Sequence, residues 1–214
     1  MKVTKYWLVV RQGQDYINID FENDFYRRRG GINMPNWCTN NLIVSGNIGS
    51  IFYFNNDFKG QPSPKQQYGY KRLEDRYCFN AIRPMPEGVD WYDWSVENWG
   101  TKWDIYHYGF NKHDIEILSL SATAEAFYSF DTAWAPPEAF VEYASKLYPN
   151  LVFTLNYFEG GMMFAGSTTY KNGNVIDYDF REGDPKQVID LALNLELEDH
   201  DNLVEDFELN LTKE

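Results

Sequence analysis

The chain has 214 residues, with 32 acidic side chains against 19 Lys/Arg and a formal charge of -13. At 43% hydrophobic and 18% aromatic residues it is not disordered throughout, and its charge disfavours nonspecific attraction to nucleic acid or anionic membrane. No run approaches the roughly 20 apolar residues of a membrane helix, and the opening MKVTKYWLVVRQG lacks the apolar stretch and cleavage pattern of a secretion signal. A soluble cytoplasmic protein with one compact core and terminal additions is the expectation. Cys38 and Cys78 are too few for a disulfide scaffold and read as reduced thiols.

The charge is uneven. Residues 1–33 sum to +2, residues 34–183 to -7 and residues 184–214 to -8, with ten acids in that last stretch. These limits define three expected parts: an N-terminal β-rich extension, a core, and an acidic, partly helical C-terminal extension. In the first, Tyr6–Val10 and the alternating Tyr16–Phe21 predict a hairpin. Arg27, Arg28 and Arg29 before Gly30 and Gly31 read as a solvated surface beside a hinge, with an acidic partner or phosphate as the other reading.

Leu42–Val44, bounded by Asn and Gly, predicts a buried strand, whereas Ile48–Phe58 packs as either helix or strand. Residues 59–71, interrupted by two prolines and glycines, predict an exposed loop. Leu73–Tyr77 starts a short helix, and Pro84 and Pro86 stop regular structure. From Ser119 to Phe130 apolar residues recur at period two, as in a strand. Phe140, Val141, Ala144, Leu147 and Tyr148 then recur at helical spacing, framed by Pro137 and Pro149. Leu151–Phe158, a strand from Met163 to Tyr170, the Asn172-Gly173 turn and Val175–Phe180 form an antiparallel meander. Pro185 opens a further helix carrying Val188, Ile189, Leu191, Ala192 and Leu195. The order is that of an α+β sheet layer.

Three segments carry a resemblance: Met34-Pro35-Asn36-Trp37-Cys38-Thr39-Asn40-Asn41-Leu42, Glu97-Asn98-Trp99-Gly100-Thr101-Lys102-Trp103-Asp104, and Phe130-Asp131-Thr132-Ala133-Trp134-Ala135-Pro136-Pro137. Together they resemble the Api92-like or YubB-like family of phages and mobile elements, over residues 34–183. The resemblance implies a ferredoxin-like fold, an antiparallel sheet with a helical layer, with residues 1–33 and 184–214 as additions. It implies no reaction, since this is an uncharacterised family.

The residues of those segments have two chemistries open to them. Glu97 and Asp104 flank an aromatic, glycine-containing turn in which Lys102 offsets negative charge. Such carboxylates bind backbone N–H groups in a structural turn, contact a ligand with Trp99 and Trp103 stacking on it, or divide acid and base work. Trp37, Asn40, Asn98 and Trp134 likewise either pack and satisfy the backbone or recognise a partner. His107 and His113 lack metal-ligand spacing, Asp177 and Asp179 read as a solvated strand face, and neither a phosphate loop nor a nucleophile elbow occurs. No cofactor, metal or catalytic residue is assigned. The function expected is that of a noncatalytic phage or mobile-element accessory protein acting by protein–protein recognition. The partner would be a host nucleic-acid-processing or defence protein. A basic groove on it would receive the acidic surface of Asp190, Glu196, Glu198, Asp199, Asp201, Glu205, Asp206 and Glu208. Small-ligand binding, or an enzyme using the Glu97–Asp104 turn, is the alternative.

Overall fold

The computed structural model describes residues 8–12, 15–19, 36–63, 76–105, 112–116 and 123–197. The chain divides into two units, Met1–Pro35 and Asn36–Glu214. In the first, β1 (Leu8–Gln12) and β2 (Asp15–Ile19) pair antiparallel, Gln12 opposite Asp15, so the expected hairpin is present. The triple arginine lies outside the described residues.

The second unit is built on a six-stranded antiparallel sheet. Its central strand, β3 (Trp37–Asn47), alternates buried Cys38, Asn40, Leu42 and Val44 with half-buried neighbours, as a strand with unequal faces must. Asn47 ends it and caps α1 (Ile48–Asp57), its side-chain oxygen accepting from the Gly49 N–H at 2.9 Å. After two short strands, β4 (Lys59–Gly60) and β5 (Arg76–Tyr77), come α2 (Phe79–Ile82) and α3 (Trp91–Trp99). Then follow β6 (Lys112–Glu116), β7 (Thr123–Ala133), α4 (Glu138–Leu147), β8 (Val152–Glu159), β9 (Phe164–Lys171), β10 (Asn174–Glu182) and α5 (Pro185–Asn194). The strand order is β10-β9-β8-β3-β7-β6. Within it, β3–α1–β6–β7–α4–β8 is the βαββαβ path of a ferredoxin-like fold. The β9–β10 meander extends the sheet beyond β8.

The two faces of the sheet are covered differently. Leu42, Val44, Ala126, Tyr128, Phe130, Phe153, Leu155 and Tyr157 on one face meet Ile51, Phe54 and Phe58 of α1, Phe79, Trp99, and Phe140, Val141 and Ala144 of α4 in the main core. The opposite face contributes Phe158 and Ala165 to a smaller cluster with Val188, Ala192 and Leu197. Residues 185–197 are therefore part of the packed body, not a detachable extension. No helix among the described residues is long and apolar enough to cross a membrane.

Several local expectations change. The undecided Ile48–Phe58 is helical because Ile51, Phe54, Asn55 and Phe58 share a buried face; exposed Phe52 and Tyr53 hide that period in the sequence. Arg76–Tyr77 is a strand paired with Lys59–Gly60, not helix. The described part of the expected exposed loop buries Pro62 and Ser63. The Asn172-Gly173 turn has φ of 49° and 74°, the positive pair a tight hairpin turn requires.

Candidate functional site

The three motif segments, far apart in sequence, meet at one end of the sheet. Pairing places Trp37 opposite Ala133 and Cys38 between Thr132 and Glu159, joining the start of β3 to the ends of β7 and β8. The middle segment is tied in by Thr101, whose hydroxyl donates to the Ala133 carbonyl at 2.9 Å. Gly100 makes the close approach possible: its φ is +84°, and a Cβ there would lie 3.1 Å from both the Pro136 carbonyl oxygen and the Glu138 nitrogen. α3 thus ends directly against the start of α4.

Part of each segment turns inward. Fully buried Asn40 donates its amide to the carbonyls of Cys38 (2.7 Å) and Phe130 (3.2 Å) and to the Thr132 hydroxyl (2.9 Å). Thr132 in turn donates to the Ala135 carbonyl at 2.8 Å, fixing the chain as it leaves β7. Trp99, also fully buried, donates its indole N–H to the Arg83 carbonyl at 3.0 Å. Arg83 bonds both the backbone and the side chain of Asn98, and its guanidinium lies 4.5 Å from the Tyr143 ring. Asp104 supplies the cap that α2 lacks from its own N-cap residue, Cys78. Its Oδ1 accepts from Phe79 N at 2.6 Å and Ile105 N at 2.8 Å, and its Oδ2 from Asn80 N at 3.3 Å. Burial pushes the Asp104 carboxyl up to about 6, against the opposing pull of these N–H groups and that of Ser63.

The nine residues grouped from the sequence therefore divide. Asn40, Asn98, Trp99 and Asp104 are engaged inside; Trp37, Lys102, Trp103, Glu97 and Trp134 reach the surface to differing degrees. Glu97 faces solvent on α3 while Asp104 is turned inward, so the two carboxylates are not arranged as an acid–base pair. Sequence reasoning missed Glu159, a buried carboxylate opposite Cys38 that accepts from the backbone N–H groups of Gly161 and Met162. The signal was a Glu directly before Gly160-Gly161. Burial foremost, then the charge of Glu159, pushes the Cys38 thiol well above its ordinary range, which suits a packing residue rather than a nucleophile. Burial also raises Asp131, opposed by a hydrogen bond from the Thr39 side chain.

Over this polar interior lies an aromatic surface. The Trp37 and Trp103 rings are 6.2 Å apart and tilted by 49°. The Lys102 ammonium sits 4.8 Å from the Trp103 ring and 5.9 Å from that of exposed Tyr92, within cation–π range. Trp134, bonded through its backbone to the residue before Trp37, is 48% exposed. Its φ of 75° is left-handed, a conformation that costs a bulky residue about 1–3 kcal/mol. It is held there by its N–H bond to the Asn36 carbonyl at 3.0 Å. Of the acidic surface, Asp190 and Glu196 are exposed on and after α5, and the Glu196 carbonyl accepts from the Asn41 amide at 3.3 Å. Glu198, Asp199, Asp201, Glu205, Asp206 and Glu208 lie outside the described residues.

Two comparisons with known proteins found a match. The crystal structure of a protein api92 from Yersinia pseudotuberculosis aligns over 71% of this chain and 99% of its own, at 10% identity and a TM-score of 0.49. No curated protein matches the chain. A family model described as the ferredoxin-like domain in Api92-like protein matches residues 101–207. The match runs through α5, so that helix falls within the family's domain instead of outside it. The chain belongs to this Api92-like family.

Proposed function

We propose that this chain is a noncatalytic recognition protein whose aromatic sheet end, formed by Trp37, Trp103, Trp134, Tyr92 and Lys102, docks a partner protein. The observation that carries the reading is Trp134, a large aromatic held half-exposed in a left-handed backbone conformation by the same motif that buries Asn40 and Thr132. Strain retained at an exposed aromatic has a use outside the fold, and Trp and Tyr with a neighbouring cation are the side chains that dominate protein interfaces. The setting we propose is a phage or mobile-element accessory protein acting on a host nucleic-acid-processing or defence protein. Residues 198–214, with seven acids and one lysine, would add electrostatic steering toward a basic groove.

A photo-crosslinking residue at position 134, with one at exposed Tyr53 as control, tests the reading in host extract. The expected outcome is a protein captured from 134 but not from 53, whose binding in purified form is weakened at least tenfold by Trp134→Gly with Lys102→Ala. Identical capture from both positions, or unchanged affinity, rejects it. Truncation after Leu197 preserves the α5 cluster and isolates the tail: binding should weaken and lose salt dependence.

A further inference from the structure

The outer edge of the sheet is remote from the motif segments in sequence. β10 is an edge strand of nine residues, Asn174–Glu182, with no proline or lysine among them. Val175, Ile176 and Tyr178 are 55%, 57% and 58% exposed. Edge strands are usually blunted by charges, prolines or bulges; β10 carries Asp177, Asp179, Arg181 and Glu182 between its exposed apolar residues. The one irregularity here, between Val175 and Asp177, sits at the turn, leaving Asp177–Glu182 in unbroken register with β9.

The register sorts these side chains. Asp177, Asp179 and Arg181 lie opposite Thr169, Ser167 and Ala165, on the face carrying α5. Tyr178, Phe180 and Glu182 lie opposite Thr168, Gly166 and Phe164, on the other. There Tyr178 stacks on Phe180 with centroids 6.3 Å apart, and Phe180 lies 6.2 Å from Phe164. On the first face Arg181 forms an ion pair with Asp179, both half-exposed.

We propose that β10 pairs antiparallel with β10 of a second copy of this chain, about a two-fold axis at Phe180. Within the regular stretch Asp177–Glu182, charge complementarity selects both occupant and register. In a two-fold antiparallel pair centred on one residue, positions equally far before and after it face each other. A centre at Asp177, Asp179 or Arg181 sets that charge against itself, and a centre at Tyr178 sets Asp177 against Asp179 of the second copy. Each is a directly opposed like-charge pair, which destabilises a sheet. Centring at Phe180 instead sets Asp179 against Arg181 of the second copy, twice, so the two intrachain ion pairs merge into an alternating neutral group of four. On the other face Phe180 meets its equivalent and Tyr178 meets Glu182 of the second copy. The sheet becomes continuous across the pair, and the two open edges close.

The proposal is independent of the aromatic sheet end and is tested by charge exchange in the full chain. Wild type should change from monomer to dimer with rising concentration in sedimentation equilibrium. Arg181→Asp opposes Asp179 to an aspartate, and Asp179→Arg opposes Arg181 to an arginine; each alone should weaken dimerisation by about tenfold or more. Mixed in equal amounts, the two variants should dimerise with each other, because every opposed pair is again of unlike charge. A wild type that stays monomeric into the low-millimolar range overturns the proposal, as does a dimer indifferent to both substitutions. If either variant misfolds, wild-type hydrogen exchange decides: β10 amides should lose protection on dilution, and protection independent of concentration contradicts the pairing.

Discussion

Residues adjacent in the motif segments act in opposite directions. Asn40, Trp99, Gly100 and Asp104 face inward, where each satisfies backbone groups or allows two elements to meet. Trp37, Lys102 and Trp103, one to three positions away, lie together above them, and Trp134, two positions after buried Thr132, is half-exposed. The difference teaches that a motif need not be a site throughout: the inner residues set the backbone and the outer ones use its placement. Changes inside should therefore reduce stability, and changes outside should affect binding while leaving the fold intact.

The largest expected effect is inside. Trp99→Ala removes a fully buried aromatic and its bond to Arg83, and should lower unfolding free energy in urea by about 3–5 kcal/mol. A loss below about 1 kcal/mol would place Trp99 outside the supporting set. Next, Asn40→Ala leaves the Thr132 hydroxyl and two strand carbonyls without its amide, and should lose about 1–3 kcal/mol by the same assay. Asp104 gives a pH signature. Its carboxyl is raised from 3.8 to about 6 in the folded chain, so the folded state holds the proton more tightly than the unfolded one. Its contribution is fully present below about pH 4 and is lost as pH rises through about 6. Asp104→Asn should flatten that part of the stability–pH curve; an unchanged slope would remove Asp104 as its source. The smallest effect is outside: Trp134→Gly relieves a left-handed φ while losing a half-exposed ring, and should change stability by no more than about 1 kcal/mol. A larger loss would move Trp134 into the inner set.

Much of the architecture was legible because its signals are local. Pro137 and Pro149 frame α4, Asp184 and Pro185 open α5, and Asn172-Gly173 closes the last hairpin. α3 was not legible. Its Trp91-Tyr92-Asp93-Trp94 start mixes exposed and half-buried aromatics, and Asp90, whose side chain accepts from Tyr92 N and Asp93 N, follows Pro84, Pro86 and Gly88, which stop regular structure. For the site, the sequence identified the segments but not which residues face inward. That division depends on the β3–β7 register and on Asp104 capping a helix 25 residues earlier, both products of tertiary packing.

The most direct measurement sets stability against affinity for two variants, using the protein captured from position 134. Asn40→Ala should be less stable yet bind within a few-fold of wild type at temperatures where it remains folded. Trp134→Gly should keep wild-type stability and lose at least tenfold in affinity. The opposite assignment, with Trp134→Gly unfolding the chain or binding unimpaired, would contradict the division between an inner support and an outer recognition surface.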